Sequence, residues 1–284
     1  MSEKFYIEHC PDTSTIWDWI SQETRLAEAS KDVRSNLSNE LLDLKHRLDI
    51  SEIKKCCLQA LDTNGKFGWR TSQGSSNAYG GLSLVYNPDF NDRTSINEQT
   101  LGTEKNNPEE FYWSSTDKTD TIKNSYFDSY GFREIAPWIE ECNLNQFTNK
   151  FKLNFTRGRL AVLDADYYDK VGENFLWHKD ETIFENLRIN IPLQTDQSFY
   201  FQLENHDPCH LSVGNVYSWD THKPHRVFAT EKKSFLRIHL VIGLMPWFSY
   251  DSLNKFLSKN KYFGKVHPLE LLVNGVVHPD IGLT

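Results

Sequence analysis

The chain has 284 residues, which at ~150 residues per domain gives a prior of about two domains, or one large β-rich domain. Hydrophobic residues make up 38% and charged residues 25%, the balance of a globular protein with a core, which excludes disorder and coiled coil. A net charge of -8 repels phosphate backbones and anionic lipid, and no basic patch offsets it, so neither nucleic acid nor membrane is expected as a partner.

The opening MSEKFYIEHC lacks a basic segment followed by an apolar run, so no signal peptide is expected. From residue 13 to about 62 the chain reads helical: Ile16, Trp19 and Ile20, then Leu37, Leu41, Leu42, Leu44 and Leu48, recur near helical spacing without proline. Asp49 or Ser51 can cap its last helix, 53–61. Residues 63–110 turn rich in glycine, serine and aromatics and read as a loop followed by a short strand over 82–86. A polar excursion over 87–123 has the length of a functional loop. Pro137 opens a helix to about residue 148.

After Lys150 strands are predicted at 151–155, 160–164, 187–193, 199–203, 216–219 and 235–244, with no helical pattern between them. That series suggests an antiparallel barrel or jelly roll. The aromatic content of 13%, against only 2 Met, agrees with strands and aromatic-lined pockets. Short helices are predicted at 253–257 and 269–273. The longest apolar stretch, 240–248, is interrupted by Gly243 and Pro246 and is too short to span a bilayer. Five cysteines (Cys10, Cys56, Cys57, Cys142, Cys209), with one adjacent pair and no CxxC, argue against a disulfide framework or zinc ribbon. The expectation is a cytoplasmic protein with a helical layer and loop region over 1–149, a β core over 150–248 and an extension over 249–284, all in one domain.

Eight of the ten histidines lie beyond residue 177. His178 and Asp180 form an HxD; in extended chain residues i and i+2 face the same side, so imidazole and carboxylate converge. A second histidine from a distant strand completes a facial triad, the arrangement of non-haem Fe(II) oxygenases with open coordination positions. His225 and His222 compete for that place, both shortly ahead of the apolar Val227-Phe228. Arg237 sits inside the apolar run Phe235 to Leu240, where a buried guanidinium needs an anion. A dicarboxylate bound to the metal at one end supplies it, gripped by Arg's planar fork. His239, on the same face, can share that carboxylate.

This set, HxD followed by PHRV and then RIH on a strand, resembles the Fe(II)- and 2-oxoglutarate-dependent oxygenases over residues 150–245. Within them, WHKDE, LRINIPL, DTHKPHRVFA and RIHLVIG look most like the aspartyl/asparaginyl β-hydroxylase and cis-proline hydroxylase branch. The resemblance implies a double-stranded β-helix (jelly roll, cupin-like) fold, α+β and mainly β, flanked by the N-terminal helices. It implies Fe(II) on His178, Asp180 and His225, 2-oxoglutarate on Arg237 with Arg188 and His239 nearby, O2 as oxidant, and ascorbate as support. The peptide β-hydroxylase lacks the carboxylate ligand that Asp180 supplies, so the resemblance favours hydroxylation of a small molecule, an amino acid or a derivative. Hydroxylation of an Asp, Asn or Pro residue in a peptide is one alternative. A cupin-like isomerase or hydrolase using its metal as a Lewis acid is another.

Further candidates carry two readings each. Arg188 and Asn190 alternate with Leu187, Ile189, Ile191 and Leu193, which describes either a pocket wall or a solvent edge. Trp69, Arg70 and Tyr79, among glycine hinges, suit a substrate lid or an ordinary surface loop. Arg157, with Arg159, faces an acidic substrate or makes surface salt bridges. Trp177 is expected in the core, and His206 and His210 at a hairpin tip around Pro208.

Overall fold

The computed structural model describes residues 5–6, 33, 35–64, 67–71, 74–86, 134–164, 177–180, 182–231, 235–254 and 256–281. The predicted helix around Ile16, Trp19 and Ile20 and the excursion over 87–123 lie outside them. Fourteen strands, all paired antiparallel, dominate the described residues.

The large sheet has seven strands. Along it lie β2 (Leu42–Arg47), β10 (Asn215–Ser218), β8 (Leu187–Gln194), β12 (Leu236–Leu244), β7 (Arg159–Asp164), β4 (Gly74–Ser83) and β3 (Phe67–Thr71). The mainly β reading is met, and three of these strands come from before residue 149. A small second sheet pairs β9 (Phe199–Leu203) with β11 (His225–Ala229). Two outlying sheets join β1 (Phe5–Tyr6), β14 (Phe256–Lys259) and β13 (Phe248–Asp251), and β5 (Val85–Tyr86) with β6 (Glu134–Ile135).

Alternation on the central strands builds two layers. On β8, Leu187, Ile189, Ile191 and Leu193 enter the main core, and Ile238, Leu240 and Ile242 of β12 and Leu160 and Val162 of β7 join them. Helix α1 (Ser51–Asn64) closes that core with Ile53, Cys57 and Ala60, and α4 (Pro268–Val273) adds Leu269, Leu271 and Leu272. The opposite face carries Arg188 and Asn190, Arg237 and His239, and Arg159 and Ala161, and it lines a cavity. Because both faces are covered, β8 is buried almost end to end despite its polar residues.

Several predicted elements are corrected. Residues 42–47 are a strand, not part of a long helix: LDLKHR alternates with period two as well as it fits a helix, and pairing with β10 decides. Residues 67–71 and 74–83 form the paired strands β3 and β4 in place of the predicted loop, since β4 docks on β7 and tertiary pairing overrides the weak strand propensity of Gly, Ser and Asn. The helix predicted over 137–148 is broken into α2 (Pro137–Glu141) and α3 (Asn145–Thr148), with Asn143 at φ 56 between them. Of the predicted helix 253–257, residues 253–254 form a turn and Phe256 and Leu257 belong to β14, paired with β13.

The predicted strand 151–155 is also absent, reduced to a bridge between Phe155 and Leu244. There the chain crosses β12 so closely that a β-carbon on Gly243 would lie 1.9 Å from the Thr156 carbonyl oxygen. Hydrogen bonds from Thr156 N to Gly243 O (2.9 Å) and from Met245 N to Asn154 O (2.8 Å) fix the crossing. It delivers the following residues, Arg157 to Arg159, to the mouth of β7.

Candidate metal centre

The HxD segment runs in extended chain beside the start of β11. His178 and His225 form an isolated antiparallel bridge, with both backbone N to O distances at 3.0 Å. Asp180 N donates to Thr221 O at 2.9 Å, so both ends of the HxD are pinned to one turn. The period-two geometry then turns His178 and Asp180 to one side, where His225 meets them. His178 Nε2 lies 4.0 Å and His225 Nε2 3.6 Å from Asp180 Oδ2, and the two imidazole rings are 4.3 Å apart between centroids. The three ligand atoms lie within 4.8 Å of one another, and no other such group of His, Cys, Asp or Glu occurs among the described residues. Asp180 and His225 are buried, while His178 is at the mouth with its side chain 36% exposed.

Two second contacts prepare these groups as ligands. His225 Nδ1 lies 2.9 Å from the Lys223 carbonyl, an acceptor only, so Nδ1 carries a proton and Nε2 is the nitrogen turned toward Asp180. Arg188 Nη1 is ion-paired with Asp180 Oδ2. Burial acts to raise the Asp180 pKa, but Arg188, the His225 hydrogen bond and the charge of both histidines outweigh it and hold the carboxyl well below its usual range. The chain thus offers two imidazole nitrogens and one carboxylate, a donor set that suits Fe(II) with positions left open.

The cavity extends from this cluster across the floor of the large sheet, with about 700 Å³ of atom-free space counting its mouth. Register places Arg188 opposite Gly243 on β12, six positions from Arg237, so the α-carbons of the two arginines stand ~20 Å apart along the strand at ~3.3 Å per residue, a backbone separation that each long side chain can shorten. At the far end Arg237 Nη2 donates to His239 Nδ1 at 3.0 Å. A guanidinium cannot accept, so His239 carries its proton on Nε2. Burial first, then Arg237 and His210, push its pKa well below the ordinary value and keep it neutral. His239 is 1% exposed, and its Nε2 has no partner among the described residues; the same holds for Nε1 of Trp219 in the cavity wall. Two buried N–H donors therefore await an acceptor.

Other sequence candidates fall elsewhere. His222 Nδ1 donates to the Asp180 carbonyl at 3.3 Å, so it buttresses the HxD backbone and takes no place in the cluster. His206 and His210 bond to the carbonyls of Asn39 and Phe199 at 2.8 and 3.2 Å, as turn residues do. Trp177 is not in the core: it is 41% exposed, with the Arg226 guanidinium 4.8 Å over its ring, because the outer face of the small sheet meets solvent. Trp69 and Arg70 lie on β3 and Tyr79 on β4, within the hairpin at the sheet edge. Arg157 is buried but does not line the cavity; Arg159 does. Its signal was the i, i+2 phase it shares with Ala161 and Leu163 at the head of an apolar strand. Trp219 and Asn190 join it in the lining.

A larger cavity, with about 1290 Å³ of atom-free space counting its mouth, lies between α1 and the α2–α3 corner, near Cys56 and Cys142. It shares no lining residue with the cavity at the His–Asp–His cluster and holds no comparable ligand group among the described residues. No helix among those residues is long and apolar enough to cross a membrane.

No protein-family model matches the chain, and no curated protein matches it in sequence. Among solved structures, it is similar to a prolyl hydroxylase from Trichoplax adhaerens in complex with a peptide fragment of the hypoxia inducible factor oxygen degradation domain. That similarity has a TM-score of 0.36 and 7% identity, over 80% of this chain and 92% of the other. It is also similar to IDO from Bacillus thuringiensis, with a TM-score of 0.33 and 12% identity, over 78% of this chain and 96% of the other. The functional reading accordingly stands on the geometry of the site.

Proposed function

We propose that this chain is an Fe(II)- and 2-oxoglutarate-dependent dioxygenase that hydroxylates an unactivated C–H bond of a small substrate, an amino acid or a derivative. The observation that carries the reading is the meeting of His178, Asp180 and His225 at one end of a cavity whose other end presents Arg237 and His239. In this reading the large and small sheets are the two halves of a double-stranded β-helix.

His178, Asp180 and His225 hold the iron. Bound iron and oxo-acid together supply oxidation by O2, with succinate and carbon dioxide as co-products. The rest is the work of the chain's own residues. Arg188 keeps Asp180 ionised and oriented. Lys223 O fixes the His225 tautomer. Arg237 and the Nε2–H of His239 receive the distal carboxylate of 2-oxoglutarate, so the co-substrate is anchored away from the metal and aligned along the floor. The covered sheet face excludes water from the reacting atoms.

The test is anaerobic titration of Fe(II)-loaded protein with 2-oxoglutarate, followed by the visible metal-to-ligand charge-transfer band and by calorimetry. The wild type develops the band and binds both, whereas His178→Ala and Asp180→Ala lose iron affinity by about 100-fold. Wild-type protein that binds neither better than His178→Ala sinks the reading.

A further inference from the structure

Two half-buried thiols meet at the cavity between α1 and the α2–α3 corner, whose lining shares no residue with that of the metal centre. Cys56 lies on the second turn of α1, at the border between Ile53, Cys57 and Ala60, which enter the core, and the cavity. Cys142 is the C-cap of α2, with its N–H on Trp138 O at 3.0 Å. Asn143, at φ 56, then turns the chain into α3. Asparagine tolerates this left-handed conformation better than most residues, so the corner sets Cys142 against α1 at small cost.

The contact runs in both directions. The Cys56 thiol donates to the Cys142 carbonyl at 2.7 Å, and the Cys142 thiol donates to the Cys56 carbonyl at 3.5 Å. Each side chain therefore reaches toward the other residue, and the two converge as a bridge between them requires. Burial, then Cys56 and Glu141, raise the pKa of Cys142, and Cys56 acts both by charge and by a hydrogen bond between the side chains. Cys57, next in sequence, is fully buried in the core and takes no part in the contact. Both cysteines of the pair are free thiols, they line the cavity, and its open volume admits a small oxidant.

We propose that Cys56 and Cys142 are a reversible oxidation site, at which a peroxide converts the two thiols into a disulfide that clamps α1 to the α2–α3 corner. With hydrogen peroxide, one thiol loses its proton and its sulfur attacks an oxygen; the O–O bond breaks and the released hydroxide leaves as water with that proton. The second thiol then attacks the sulfur of the sulfenic acid, and its proton leaves with the hydroxyl as a second water. Two thiols and one peroxide thus give one disulfide and two waters. The bridge joins residues 86 apart in sequence, a separation at which a cross-link restricts the unfolded chain strongly. A transient bridge of this kind agrees with a cysteine pattern that lacks a disulfide framework. The proposal does not depend on the oxygenase reading.

The test treats the reduced full-length protein with a few equivalents of hydrogen peroxide, blocks remaining thiols with iodoacetamide, and maps the digest by mass spectrometry. The main product expected is a linked pair of peptides carrying Cys56 and Cys142, lighter by two hydrogens and separated again by dithiothreitol. The thermal midpoint of the oxidised protein is expected to rise by about 5 °C and to return on reduction. Cys56→Ser and Cys142→Ser abolish that rise, and Cys209→Ser keeps it.

Thiols that only cap backbone carbonyls would both be alkylated after peroxide, and that result overturns the proposal. So does a main product in which either sulfur is carried on to sulfinic or sulfonic acid, or one that links Cys10, Cys57 or Cys209 instead. A midpoint that stays or falls on oxidation overturns the clamp. The peptide map is read on wild type, so it decides the matter even where a serine variant fails to fold.

Discussion

Arg237 shows how one side chain can be legible in sequence and still depend on a neighbour for its meaning. A guanidinium in an apolar strand calls for an anion, but the His239 contact at 3.0 Å decides which imidazole nitrogen carries the proton and hence that a second donor joins it. Arg237→Gln is therefore expected to weaken 2-oxoglutarate binding by about 30-fold while leaving Fe(II) binding unchanged, as calorimetry with each ligand will read. Gly243 makes the complementary case, where the missing side chain matters. A β-carbon there meets the Thr156 carbonyl, backbone against backbone, with no flexible end to yield. Gly243→Ala is expected to cost about 3 kcal/mol in denaturant unfolding and to disturb the segment leading into Arg159.

Single elements act here through their ends. Helix α4 begins after His267, whose Nδ1 accepts from Leu269 N at 3.3 Å while its Nε2–H donates to Ser38 Oγ at 3.0 Å. The bond to Nδ1 needs the neutral ring, and burial pushes its pKa down to about 4. The unfolded chain binds the proton near pH 6.5, so stability from this group is complete above that pH and declines as pH falls toward 4. The loss amounts to about 2 kcal/mol after allowance for solvent screening. His267→Asn keeps an N-cap acceptor without a titrating ring, and its stability between pH 6.5 and 4 should fall less steeply than that of the wild type. A parallel acid limb in both proteins would show that the ring does not titrate in this way.

At the scale of the molecule, the site is a joint between two sheets. His178 and Asp180 lie beside β11 of the small sheet, while Arg188, Arg237 and Arg159 stand on the large one. A metal on the His–Asp–His cluster binds the folded state alone and so stabilises it, by about 2.7 kcal/mol when its concentration is 100 times Kd. Chelation should lower the thermal midpoint of metal-loaded wild type by several degrees. Asp180→Ala should be indifferent to chelator, and a midpoint that falls equally in both proteins speaks against the site.

The sequence by itself determined the central strands and the chemistry strung along them. Alternation on LRINIPL and RLAVLD, the HxD, and an arginine within an apolar run are local patterns, each set by one strand's period of two. The choice of His225 over His222 rested on the resemblance of Pro224-His225-Arg226-Val227 to a known pattern, and it is His225 that meets His178 and Asp180. What only the tertiary structure decided were the matters of pairing and covering. LDLKHR became a strand because β10 was there to receive it, and the Gly- and Ser-rich stretch became a hairpin because β7 held it. Whether Arg188 and Asn190 faced water or a cavity depended on a second sheet closing over them, which no property of their own strand encodes. The exposure of Trp177, one residue from a buried cluster, has the same origin: covering is a relation between distant segments, and a strand's pattern reports only that its two faces differ.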